Sequence, residues 1–281
     1  MIPLTQPDII AHETITPWPL ATQVEQDLLL CRSMRAIFRD DFLSTQVAMR
    51  GGTLLHKVHL PPPSRYSEDI DLVVVGDRPE GHIKRSLRRV LEEVLGEPRR
   101  SQWAELLLAI RNAHKPSRIL RMNYSVPSIT APGTSLEIQI ETNVTERQSY
   151  QPVQKIPFGY AFRGEQVQLQ ISGYDIHEML GTKLRALFQR DKGRDLFDLY
   201  WALTHAAPPV EPQRIIEAFN HYLRAEGTTA HRAEFEEALR GRLNRRGFRT
   251  DMEPLLRRDM HYDVEEAATL VQTQLLALLP Q

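Results

Sequence analysis

The chain has 281 residues, enough for one large domain or two modest ones with a real core. Hydrophobic residues make up 41% and charged residues 25%, an ordinary soluble composition. Lys+Arg 35 against Asp+Glu 36 excludes an overall basic field, so any nucleic-acid contact has to be a local patch. A single cysteine, Cys31, excludes an internal disulfide framework and any multi-cysteine zinc site, and no apolar run approaches the roughly 20 residues of a membrane span.

Residues 1–20 carry four prolines with Asp8, His12 and Glu13, and read as an irregular arm without the basic start and apolar centre of a signal peptide. The expected location is the cytoplasm, with no membrane association. From Gln23 to Phe38, apolar residues recur at helical spacing (Val24, Leu28, Cys31, Met34, Ile37, Phe38). A short strand over Gln46–Met49 runs into Arg50-Gly51-Gly52, and a helix is expected from Thr53 to Val58. Pro61-Pro62-Pro63 ends that helix in an extended loop. Ile70–Val75 is a strand stopped by Gly76-Asp77, and His82–Leu95 is an amphipathic helix. Two more strands, Ile119–Val126 and Leu136–Thr142, flank a turn-rich link at Pro127–Thr134. Gln151–Gly164 reads as loop, and Gln166–Ile171 alternates as a half-buried strand does.

From Tyr174 onward every pattern is helical. Asp175 and Glu178 fit a capping box at the start of a helix that runs to about Arg190. Further helices are expected at Asp195–Thr204, Arg214–Ala225, Arg232–Leu243 and Val264–Leu279. The organisation is therefore an arm (1–20), a mixed core (21–171) and a helical C-terminal domain (172–281), together a two-lobe α+β protein.

The chemistry-bearing residues cluster in a few places. Alternate strand residues point the same way, so Asp69 and Asp71 project two carboxylates onto one face. Close carboxylates repel unless a cation neutralises them, and hard oxygen ligands favour Mg²⁺. Gly51 and Gly52 allow a tight turn with uncovered N–H groups, an anion nest or an ordinary helix entry. Thr53 follows as a phosphate donor or a helix cap. Arg65 and Ser67 precede the acids; Arg65 is a phosphate clamp or a surface partner of Glu68. Glu137, Gln139 and Glu141 share a strand face, which is either a polar sheet face or the source of a third acid, Glu141. Lys183 sits in an apolar helical stripe among Met179, Leu180, Ala186 and Leu187. Such a lysine needs a partner, either a triphosphate or a buried ion pair with Asp195 and Asp198. His56 and His59 lack further metal ligands. The stretch Arg240, Arg242, Arg245, Arg246 and Arg249 is an RNA backbone contact or a charged helix end.

In this order, Gly51-Gly52-Thr53, Arg65-x-Ser67-x-Asp69-Ile70-Asp71-Leu72, Ile140-Glu141-Thr142-Asn143-Val144-Thr145-Glu146, Glu178 to Leu187 and Gly193 to Tyr200 resemble the AbiEii/AbiGii toxin family of nucleotidyltransferases, to which the MenT toxins are related. The resemblance implies a DNA polymerase β-like core, a mixed sheet with flanking helices, plus an all-helical C-terminal lobe. It implies an NTP donor and Mg²⁺ or Mn²⁺ as cofactor. By similarity, Asp69 and Asp71 hold metal, Gly51, Gly52 and Thr53 meet the phosphates with Arg65 and Ser67 nearby, Lys183 contacts the triphosphate, and Asp195 is an essential acid. It further implies a toxin–antitoxin setting with a cognate antitoxin and a tRNA 3′ end as acceptor. A protein or small-molecule hydroxyl as acceptor, and a non-catalytic NTP-binding module, are the alternatives.

Overall fold

A computed structural model describes residues 3–110, 113–147 and 149–281, with side chains described outside 103–117. The chain divides into two compact units. The first comprises Met1–Leu108, Pro116–Tyr174 and Arg257–Asp259; the second comprises Ala109–Lys115, Asp175–Leu256 and Met260–Gln281.

The first unit opens with α1 (Gln6–Glu13), where an irregular arm was expected. Pro7 falls in the first helical turn, where a missing N–H costs nothing, and Thr5 with Asp8 closes a capping box. Helix α2 (Ala21–Phe38) follows, buried on nearly every side. A short α3 (Leu43–Gln46) leads to strand β1 (Val47–Arg50). Helix α4 (Gly51–Leu54) starts at the glycine pair and passes into a π-helical turn, Leu55–His59. Strand β2 (Asp69–Val74) comes next. Helix α5 (Glu80–Leu95) then buries the stripe Ile83, Leu87, Val90, Leu91, Val94 and Leu95 and ends at Gly96, whose φ of 81° suits a residue without Cβ.

Strands β3 (Arg100–Ile110), β4 (Ala113–Pro127), β5 (Ser135–Asn143), β6 (Gln154–Phe162) and β7 (Glu165–Gly173) complete a seven-stranded sheet. Its order is β3-β4-β5-β2-β1-β7-β6, which places β2 at the centre. It is mixed: β2 runs parallel to β5 and antiparallel to β1, while β1 runs parallel to β7. Strand β6 replaces the loop expected at Gln151–Gly164. It is an edge strand paired only with β7, where Pro157 is tolerated because no second neighbour needs its N–H.

Alternation decides what each sheet face carries. Ile70, Leu72, Ile138, Ile140, Met122 and Tyr124 are buried on one face. Burying each such side chain contributes about 1.5–3 kcal/mol. Asp69, Asp71, Gln139, Glu141, Arg121 and Asn123 are half-buried on the other face.

Three consecutive buried polar residues of α2 tie the helix to its surroundings. Glu25 accepts from the Ser128 and Thr130 hydroxyls (2.8 Å each) and from the N–H groups of Ile129 (2.8 Å) and Thr130 (3.1 Å). It thereby pins the link between β4 and β5. Gln26 Nε2 donates to the carbonyls of Glu68 and Glu137, both at 3.1 Å, where β2 and β5 begin. Asp27 accepts from the Lys57 ammonium, and its other oxygen lies 2.7 Å from His12 Nε2.

The second unit is helical in its described elements beyond residue 174: α6 (Ile176–Gln189), α7 (Gly193–His205), α8 (Pro212–Ala225), α9 (Arg232–Leu243), the short α10 (Arg246–Arg249) and α11 (Val264–Gln274). A 3₁₀ turn, Leu276–Leu278, takes the place of the last expected turn of α11. Asp175 caps α6, accepting from the N–H groups of His177 (2.8 Å) and Glu178 (3.4 Å). Gly193 begins α7 rather than merely breaking α6. A Cβ there would lie 2.2 Å from the Phe248 carbonyl oxygen, so the contact admits only glycine.

Candidate active site

The glycine turn lies directly on the acid strand. Gly51 has φ of 81°, and a Cβ on it would fall 1.8 Å from Asp71 Oδ2. A Cβ on Gly52 would fall 2.6 Å from Arg65 Nη2 and 2.9 Å from Ser67 Oγ. The missing side chains are what let the turn approach Asp71, Arg65 and Ser67. Arg65 and Ser67 are buried, and Arg65 Nη1 donates to the Tyr66 carbonyl at 3.0 Å. Thr53 is fully buried, and its hydroxyl donates to the Asp69 carbonyl at 2.5 Å. That hydroxyl is committed to the backbone, so Thr53 braces the acid strand from beneath.

Strand register assembles the polar face. Arg50 on β1 faces Asp71 on β2, Asp71 faces Glu141 on β5, and Glu141 faces Arg121 on β4. This rung carries two acids inside and one arginine at each end. The next rung is Asp69, Gln139 and Asn123. Glu141 Oε1 accepts from Arg121 Nε (2.7 Å) and Gln139 Nε2 (2.8 Å), and Arg121 Nη2 lies 2.5 Å from the same oxygen. Arg50 Nη1 reaches Glu146 Oε2 at 2.6 Å. A hollow of about 210 Å³ lies beside Asp69, lined by Glu68, Asn123, Glu137, Ile138 and Gln139. Arg50, Arg121 and Asn123 escape a reading of the sequence. Alternation in Ile119–Val126 puts Arg121 and Asn123 on one face, but only the pairing of β4 with β5 brings them to the acids.

The donors on this face are oxygens, with Asp69 and Asp71 two residues apart on one strand. That set suits a hard divalent cation such as Mg²⁺ or Mn²⁺ and not a thiophilic one. A second group of ligating atoms, from His12, Asp27 and Cys31, lies within 4.8 Å of one another. There the Lys57 ammonium bonds Asp27 and approaches Cys31 Sγ at 3.8 Å, so the chain supplies its own cation. His56 and His59 are engaged separately, with Ser64 Oγ (2.9 Å) and the Tyr174 carbonyl (2.8 Å).

In the second unit, Lys183 Nζ lies 2.7 Å from Asp198 Oδ2 and 3.4 Å from Asp195 Oδ1. Asp195 also accepts from Arg190 Nε (2.7 Å) and Nη2 (2.8 Å). Both acids are fully buried, so two cations and two acids lock α6 to α7. The basic stretch beyond residue 239 is largely engaged within this unit. Arg242 donates to the carbonyls of Leu187 and Phe188 at the end of α6, Arg245 pairs with Asp191, and Arg249 pairs with Glu265.

A family model for the nucleotidyl transferase AbiEii toxin of type IV toxin–antitoxin systems matches residues 32–270. The chain belongs to the AbiEii family. The match spans the glycine turn, the acid strand, β5 and the α6–α7 ion pairs, and it makes this chain a nucleotidyltransferase toxin by family. Among solved structures, the AbiEii chain is similar to MenT4, a nucleotidyltransferase toxin from Mycobacterium tuberculosis H37Rv. The TM-score is 0.54 and the identity 13%, covering 99% of this chain and 100% of that one. At that identity the likeness establishes the fold. No curated protein matches the sequence. Among the described residues, no helix is long and apolar enough to cross a membrane.

Proposed function

We propose that the protein transfers a nucleoside monophosphate from an NTP to an acceptor hydroxyl, with the 3′ end of tRNA as that acceptor. The observation that carries the reading is the placement of Asp69 and Asp71 on one face of the central strand, under the Gly51 turn and beside Glu141. Asp69 and Asp71 would hold a divalent magnesium or manganese ion, which supplies charge neutralisation at the transferring phosphoryl group. The uncovered backbone at Gly51 and Gly52 receives phosphate oxygens, with the Arg65 guanidinium beneath Gly52 adding positive charge. The acceptor oxygen forms a bond to the α-phosphorus as the bond to the β-phosphate oxygen breaks and pyrophosphate leaves. The acceptor's proton passes to solvent or to a carboxylate of the polar face. Lys183 and Asp195 enter the reaction by the family resemblance: the ammonium meets the triphosphate, and Asp195 with Asp198 holds it in place. A cognate antitoxin and a cytoplasmic target belong to the same reading.

Incubation with labelled NTPs, Mg²⁺ and total RNA tests it. Wild type labels RNA, and Asp69→Ala or Asp71→Ala lowers labelling on the order of 10²–10³-fold. Equal labelling by the variants would end the proposal. A protein or small-molecule acceptor is the second reading. It is favoured by the net charge of −1 and by the engagement of Arg242, Arg245 and Arg249 within their own unit. Label in those fractions and none in RNA would select it.

A further inference from the structure

Three donors converge on one oxygen of Glu141. Arg121 does not take the carboxylate with one arm on each oxygen, as a parallel fork would. Its Nε, at 2.7 Å, and its Nη2, at 2.5 Å, both approach Oε1, and Gln139 Nε2 adds a third contact to that atom at 2.8 Å. Oε2 has no donor among the described residues. Its carboxylate stands one strand from Asp71, a spacing of about 4.8 Å between neighbouring strands. Two carboxylates so placed repel, and an unclamped Glu141 would swing away from Asp71. Arg121, on the far side of Glu141 in the same rung, ties Oε1 to the β4 side and limits the rotation of the carboxylate.

We propose that Arg121, assisted by Gln139, is a positioning residue: it fixes Glu141 by Oε1 and presents Oε2 beside Asp71 as a third oxygen donor to the divalent cation. This rests on the reading of Asp69 and Asp71 as cation ligands. It extends the working site from β2 and β5 onto β4. Partners that orient a ligating carboxylate typically change metal affinity 10–100-fold when removed, and Arg121 falls in that class.

The test is Mn²⁺ binding followed by electron paramagnetic resonance, which needs no turnover. Arg121→Gln and Glu141→Gln should each weaken Mn²⁺ binding about 10-fold. The double variant Arg121→Gln/Glu141→Gln should be no weaker than either single, because Arg121 acts only through Glu141. Arg121→Lys should recover part of the loss, since it restores charge and one donor but not the fork. Gln139→Leu, which leaves the ion pair intact, should give a smaller loss and serves if Arg121 variants melt early. In transfer assays, Arg121→Gln should lower kcat while the KM for NTP stays within about threefold. Unchanged Mn²⁺ affinity in Arg121→Gln, or additive losses in the double variant, would overturn the proposal. If Asp69→Asn also leaves Mn²⁺ binding untouched, the acid-pair reading falls with it. If Mn²⁺ binding follows the stated pattern and no RNA is labelled, the acceptor assignment fails and the role of Arg121 stands.

Discussion

Gly51 shows how tightly a single backbone position constrains this site. Its φ of 81° strains any residue with a Cβ, and the added carbon would sit 1.8 Å from the Asp71 carboxylate. Gly51→Ala is therefore expected to cost about 1–3 kcal/mol of stability, read from urea midpoints, and to abolish RNA labelling. Gly52→Ala should be milder in stability, because the atoms it meets are the ends of Arg65 and Ser67, which can shift. At this scale much was legible in the sequence. A period of two put Asp69 and Asp71 on one face, and the glycine pair marked the turn. The partner of Thr53 was not legible, because its hydroxyl bond to the Asp69 carbonyl depends on a tertiary approach. The same holds for the three contacts on Glu141 Oε1, which need the registers of β4 and β5.

Helix α2 is the element that places the acid strand. Its residues 25–27 turn about 100° apart around the axis, so each reaches a different neighbour: the β4–β5 link, the starts of β2 and β5, and Lys57 with His12. Glu25→Ala removes an acceptor shared by four donors, the buried Ser128 hydroxyl and the half-buried groups of Ile129 and Thr130. A loss of about 2–4 kcal/mol is expected in chemical denaturation, with Glu25→Gln retaining part of the bonding. The apolar spacing of α2 could be read from the sequence, but the partners of its polar triplet could not, because they lie on distant segments. Strand β3 and the short helices α3 and α10 were not expected, and two further elements, α1 and β6, were missed for physical reasons. In α1, Pro7 and a weakly amphipathic pattern resemble an arm. In β6, Pro157 and Gly159 resemble a loop until its edge position is known.

For the molecule as a whole, the buried Asp27 sets an acid limit on stability. Burial pushes its carboxyl up, but the Lys57 ammonium and His12 outweigh that and hold it at about 2, below the usual 3.8. A depressed carboxyl contributes stability that is fully present above pH 4 and is lost as pH falls toward 2. Urea midpoints should therefore drop across that window in wild type, and the drop should be shallower in Asp27→Asn. At pH 7 the same substitution should cost about 3–5 kcal/mol, since it leaves the Lys57 ammonium buried without its counter-charge. The two-unit organisation reflects the change from mixed to purely helical pattern near residue 174. The strand order of the sheet was beyond the sequence, because β2 pairs with β5 across a long intervening stretch. The lone cysteine next to that buried ion pair has a practical use. Burial pushes the Cys31 thiol up to about 12, so the folded chain offers almost no thiolate. Alkylation at pH 8 is then expected to follow opening of the structure around Cys31, which makes a thiol reagent a stopwatch for spontaneous breathing of this unit. Labelling should be slow, unaffected by reagent excess once opening limits it, and immediate in denaturant.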